Sequence, residues 1–164
     1  MAFIDNGPTI RFSQLAWQKM WALCHACDSE ISWLGIISTD EEKDAAGVEE
    51  PYYFTDVYVV EQECDGTNTD MSETAVGDLV NTLMNEGIDP GRIKLWGHTH
   101  PTFSTEFSGK DEACIEKLQL EPLVSIILNK KGEVNLRLDQ WEPFRHSFKC
   151  DYIVDEVQLL PDGW

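Results

Sequence analysis

The chain has 164 residues, 42% of them hydrophobic and six of them tryptophan, enough for the buried core of one domain. Twelve Lys and Arg against thirty Asp and Glu leave a net charge of −18, which repels phosphate backbones and anionic lipid and argues against nucleic acid or a membrane as a direct partner. No run approaches the ~18 apolar residues of a membrane span, MAFIDNGPTI lacks the basic start and apolar centre of a signal peptide, and five cysteines, an odd number, point to reduced thiols, so the expected compartment is the cytoplasm.

Along the chain, Arg11 to Glu30 repeats apolar residues at helical spacing (Trp17, Met20, Trp21, Cys24), with Ser13 placed to cap the start. ISWLGIIS, from Ile31 to Ser38, is an apolar run of strand length, and the acidic TDEEKDAAGVEE after it reads as a surface loop. Pro51 to Gln62 is rich in aromatic and β-branched residues and predicts a second strand. CDGTNTD breaks the chain, and Met71 to Glu86 is an amphipathic helix that Gly87 and Pro90 end before the strand RIKLWGHTH. Asp111 to Leu120 is again helical. LVSIILNKKGEVNLRLDQW predicts a hairpin turning at Asn129 to Gly132, its second arm alternating through Val134, Leu136 and Leu138. FRHSFKCDYIVDEVQL reads as a further strand or a short helix. Interleaved helices and strands with an antiparallel pair predict a single-domain mixed α/β fold, a β-sheet flanked by helices.

The chemistry concentrates in HTHPTFSTEFSGKD, residues 98 to 111. At a strand end, His98 and His100 lie two residues apart and project to the same side, while Thr99 points away. A loop from Pro101 to Phe107 and a helix starting at Ser108 can return the Asp111 carboxylate to the same point. Two imidazoles and a carboxylate make three protein ligands with a fourth tetrahedral position open, the pattern of a catalytic rather than a structural Zn²⁺ site, one ion per chain. Ser108 and Asp111 also have the spacing of a capping box, which by itself explains both residues. An exposed hydroxyl at a helix start can in addition stabilise an oxyanion.

His-x-His, seven residues, Ser, two residues and Asp resembles, without a gap, the motif of the JAMM (MPN-plus) zinc metalloproteases. The family's order of helix, glutamate-bearing strand, strand, helix, metal-site strand and helix is similar to the elements above, so the resemblance implies a JAMM/MPN, cytidine-deaminase-like fold. It implies that His98, His100 and Asp111 bind Zn²⁺, that Glu30 is the general base, and that Ser108 supports the reacting carbonyl. Glu30 otherwise reads as a last-turn residue facing solvent. Trp33 stands where eukaryotic members often carry a small residue, a departure that concerns the substrate groove. The implied reaction is hydrolysis of an isopeptide or peptide bond after the extended C-terminal tail of a ubiquitin-like or sulfur-carrier-like protein, and the compact chain is closest to bacterial or phage-type members. A non-catalytic scaffold of the same fold is the alternative.

Other features carry less. Cys24 and Cys27 have C-x-x-C spacing on an apolar helix without a second pair, and read as core packing. His146 and Cys150 supply at most part of a second zinc site. Trp141 and Trp164 read as packing or as surface anchors, and Glu63 to Asp70 as an insertion beside the site.

Overall fold

The computed structural model describes residues 2–60, 62–64, 69–71 and 73–156. Its strands and helices run β1 (Ala2–Ile4), β2 (Ile10–Phe12), α1 (Gln14–Ala26), β3 (Ser32–Ile37), α2 (Asp40–Ala46), β4 (Tyr52–Val59), β5 (Gln62–Cys64), β6 (Thr69–Met71), α3 (Glu73–Asn85), β7 (Ile93–Thr99), α4 (Gly109–Leu118), β8 (Leu123–Leu128), β9 (Val134–Gln140), β10 (His146–Lys149) and β11 (Tyr152–Val154). Nine strands form one mixed sheet in the order β1-β10-β9-β8-β7-β3-β4-β2-β11, and β5 and β6 pair apart from it. The expected mixed α/β architecture with flanking helices is therefore present.

The period-two alternation of the central strands sorts their side chains onto two faces. On one, Ala16, Met20 and Cys24 of α1 pack on Phe12, Trp33, Phe54, Leu95, Val124 and Leu136. On the other, Ala75 and Leu83 of α3 and Ile115 of α4 cover Leu34, Ile36, Trp96 and Leu123. Both faces being covered, every residue of β8 is buried. Ser13 caps α1 as expected, accepting from the Ala16 N–H. Cys24 lies in the α1 core, as the packing reading has it.

TDEEKDAAGVEE is not a loop: it holds α2, for reasons that leave no apolar periodicity to read. Thr39 and Glu42 form a reciprocal capping box, Asp40, Glu41 and Glu42 set negative charge in the first turn against the helix dipole, and Gly47 ends the helix at φ 68°. No residue of α2 is buried. The span Arg11 to Glu30 also divides: its first residues are β2, which pairs with β4, and only Gln14–Ala26 is helical. The segment 144–154 forms two strands, β10 and β11, and no helix.

β3 and β7 pair antiparallel with Trp33 opposite Gly97. The Trp33 indole lies across Gly97, so that a Cβ there would stand 2.0 Å from its Nε1. Trp33 is fully buried in the α1 layer, away from Trp96 and the strand face that carries the histidines. Trp141 packs on the second layer, with its Nε1 donating to the Leu120 carbonyl and Arg145 stacked 4.4 Å over its ring. Trp164 and the centre of the Glu63 to Asp70 segment lie outside the described residues. Among the described residues no helix is long and apolar enough to cross a membrane.

Candidate metal centre

Trp96, His98 and His100 follow one another at period two along β7 and its end, on the face that α4 covers. The imidazoles converge: His98 Nε2 and His100 Nε2 are 3.1 Å apart. Asp111 arrives from the first turn of α4, its Oδ1 3.0 Å from His98 Nε2 and its Oδ2 3.2 Å from His100 Nε2. Ser108 is the N-cap: its Oγ accepts the Asp111 N–H, and the Asp111 carboxylate accepts the Ser108 N–H at 2.9 Å. The capping box is thus real, and it aims Asp111 at the histidines. The cap and the carboxylate's approach to both imidazoles are one geometry.

Glu30 is 5% exposed, and so does not face solvent as a last-turn residue would. It follows the end of α1 and precedes β3, held to β7 by two bonds around Thr99: the Ile31 N–H donates to Thr99 Oγ1 at 3.0 Å, and the Thr99 N–H donates to the Ile31 carbonyl at 3.1 Å. Thr99 points away from the imidazoles, as its place between them requires, and its side chain splices the Glu30 segment to the strand end. Ligand atoms of Glu30, His98, His100 and Asp111 all lie within 4.8 Å of one another, and all four residues are buried.

The rings are fixed from behind by different means. His98 stacks on Trp96 at 4.3 Å, and its Nδ1 is buried with no hydrogen-bond partner among the described residues. His100 stacks on Phe103 at 4.4 Å, and its Nδ1 meets the Ser104 carbonyl at 2.7 Å. A carbonyl only accepts, so Nδ1 carries the proton and the Nε2 of the neutral ring presents a lone pair.

Burial pushes the His98 imidazole below its ordinary pKa, against the pull of Asp111. Burial acts the same way on His100, but Asp111, the Ser104 carbonyl and Glu30 together outweigh it and raise its pKa. Asp111 is driven up by burial and down by its bonds to His100, His98 and the Ser108 N–H; the bonds prevail and hold it well below the usual carboxylate range. Two imidazole nitrogens and a carboxylate facing one point call for a cation between them. Atoms about 2.0–2.1 Å from a tetrahedral ion stand about 3.3 Å apart. The two imidazole nitrogens, 3.1 Å apart, fit that spacing, and the Asp111 carboxylate meets each with a different oxygen, Oδ1 at 3.0 Å from His98 and Oδ2 at 3.2 Å from His100. The group can hold a metal ion, with Glu30 beside it.

α4 is anchored by the residue after Asp111. Glu112 receives Arg137 of β9 through two bonds of 2.5 and 2.9 Å, and Arg137 also donates to the fully buried Asp139 at 2.9 and 3.0 Å. Ser147 donates to the same Asp139 carboxylate.

A groove of about 740 Å³ opens between α1 and α3, with Leu23, Ala26, Val57, Val60, Ala75 and Leu79 among its walls. Its floor is β4. Of β4, β2 covers only Tyr52, Tyr53 and Phe54, so beyond Phe54 the outer edge of β4 carries no strand among the described residues. Val59 pairs with Trp33, three residues after Glu30 in the chain.

Of the residues singled out by sequence, Glu30, His98, His100, Ser108 and Asp111 come together. Among the described residues this is the one group of three or more potential ligands, and Cys24, Cys27, His146 and Cys150 do not join it or form another. His146 instead meets the Phe144 carbonyl and stacks on Phe144. Thr99, Arg137 and the asparagines of the β8–β9 hairpin were not legible as parts of the site. Compared with models of known protein families and with curated proteins, the chain matches none.

Proposed function

We propose that the chain is a zinc-dependent hydrolase of the JAMM type, cleaving a peptide or isopeptide bond after the extended tail of a ubiquitin-like or sulfur-carrier-like protein. The observation that carries this is the buried group of Glu30, His98, His100 and Asp111, with two imidazole nitrogens 3.1 Å apart, a carboxylate against both and a second acidic side chain beside them. A zinc ion held by His98, His100 and Asp111 would polarise the scissile carbonyl and bring the pKa of a water to about 7. Glu30 then takes the proton of the attacking water and passes it to the leaving amine nitrogen as the C–N bond breaks. Capping uses a lone pair of Ser108 Oγ and leaves its O–H to donate to the carbonyl oxygen as that oxygen gains charge. The groove along β4 beyond Phe54 suits an extended chain, which would pair with the edge that no strand covers among the described residues and run toward Glu30.

The test begins with metal content by plasma mass spectrometry. Wild type is expected to carry about one zinc per chain and His98→Ala none. Ubiquitin-like fusions with an extended tail then report cleavage. Glu30→Gln should keep zinc and lose cleavage by about 10²–10⁴-fold. A zinc-loaded wild type that cleaves no such fusion would instead favour the scaffold, and a zinc-free wild type would remove the metal reading altogether.

A further inference from the structure

The loop from Pro101 to Phe107 has no helix or strand of its own, and Thr102, Phe103, Ser104 and Glu106 are exposed. Yet it supplies the carbonyl that fixes the tautomer of His100. Three successive carbonyls of the loop are held in place. Asn129 Nδ2 donates to the Phe103 carbonyl at 3.1 Å, His100 Nδ1 donates to the Ser104 carbonyl at 2.7 Å, and Asn135 Nδ2 donates to the Thr105 carbonyl at 2.7 Å. The two asparagines belong to the β8–β9 hairpin, Asn129 in its turn and Asn135 in β9. Asn129 is fully buried and its Oδ1 accepts the N–H groups of Lys131 and Glu133, so the hairpin turn itself is locked to the loop. The Lys130 N–H donating to the Pro101 carbonyl adds a fourth tie.

A carbonyl between two clamped neighbours has little freedom to rotate. Were it to turn away, the Nδ1 proton of His100 would lose its acceptor, and the Nε2–H tautomer, which has no lone pair to give a metal, would gain population.

We propose that Asn135 is a positioning residue of the metal centre: by clamping the Thr105 carbonyl it keeps the adjacent Ser104 carbonyl on His100 Nδ1 and the Nε2 lone pair directed at the ion. This rests on the metal reading above. Asn135 touches neither substrate nor ion; it acts through one loop carbonyl and one imidazole.

Asn135→Asp keeps the shape of the side chain and replaces the donating NH₂ with a carboxylate oxygen, and Asn135→Ala removes the contact. Zinc affinity of wild type and both variants, by competition with a chromophoric chelator and Zn²⁺ alone, should be about 10–100-fold weaker in each variant. The unfolding midpoint of the metal-free variants should fall by only about 2–4 °C, as for one lost hydrogen bond. Nitrogen chemical shifts of [¹⁵N]histidine in metal-free wild type should give the Nδ1–H tautomer for His100, and a mixture in Asn135→Asp. Variants that bind zinc within about threefold of wild type, or a wild-type His100 in the Nε2–H tautomer, would overturn the proposal while leaving the metal site standing. A wild type that binds no zinc would overturn both.

Discussion

Replacing Gly97 with alanine should be among the most damaging single-methyl additions in this chain. The new Cβ would stand 2.0 Å from Trp33 Nε1, 2.2 Å from Cε2 and 2.7 Å from Cζ2, where ordinary contact begins at 3.4 Å. Indole and strand must therefore separate by about 1.4 Å. The indole is fully buried among α1 side chains, and β7 is held on both flanks by β3 and β8, so neither yields cheaply. Overpacking costs about 1–3 kcal/mol where a core can give a little. Here about 3 kcal/mol is expected, a fall in unfolding midpoint of about 6–12 °C for a chain of this size. Urea titration and calorimetry of the metal-free protein measure it. The second half of the test removes the obstacle. In a Trp33→Leu background, which has its own cavity cost, adding Gly97→Ala should cost less than about 0.5 kcal/mol, leaving a coupling of about 2–3 kcal/mol between the two positions. A loss under about 0.5 kcal/mol in the single variant, or simple additivity in the double, would refute the account of why a glycine sits between Trp96 and His98.

Three further outcomes are expected. Ser108→Ala should lose about 1 kcal/mol of stability with the N-cap, and in a zinc-dependent cleavage assay its rate should fall about 10²–10³-fold; chemical denaturation and single-turnover kinetics read the two effects separately. Arg137→Met takes the nearer of two cations from fully buried Asp139, leaving Ser147 and, at 3.7 Å, Arg145, and urea titration should show a loss of about 3 kcal/mol, the low end for a broken buried pair. The Glu112 carboxyl is held below its ordinary pKa by Arg137 first, against some burial. Its contribution is thus present above the unfolded-state value near 4.5 and fades as pH falls through the lower folded-state value. Stability measured against pH should therefore lose part of its acid-side slope in Glu112→Gln, and an unchanged slope would count against the pairing.

The site was more legible than the sheet edges because its signals are local. His98 and His100 are two apart on a strand, which alone sets both imidazoles on one face, and Ser108 and Asp111 are three apart at a helix start, which alone sets the cap. Glu30 needed the family resemblance, since nothing nearby in sequence shows that Thr99, 69 positions on, fastens its neighbour Ile31 to the strand that carries the histidines. Asn135 and Arg137 were hidden for the same reason: β9 presents them to a loop and a helix that only the folded sheet brings near. β1, β2 and β11 are three residues each, too short for alternation to register, and each forms by pairing with a strand already placed. α2 has no buried face, and its capping residues are its sole signal.

The open half of β4 also bears on how the molecule lives at high concentration. A strand edge that no other strand covers among the described residues, beside a half-exposed valine, Val59, is the sort of surface through which identical chains join edge to edge. Each copy carries a charge of −18, so two copies approaching in that way repel one another before the edges meet. The acidity guards the edge against the protein's own kind while leaving it open to a chain of neutral or basic character. That protection weakens as salt rises and the screening length shrinks from about 10 Å at 0.1 M to about 3 Å at 1 M, so colloidal stability should decline in concentrated brine rather than improve.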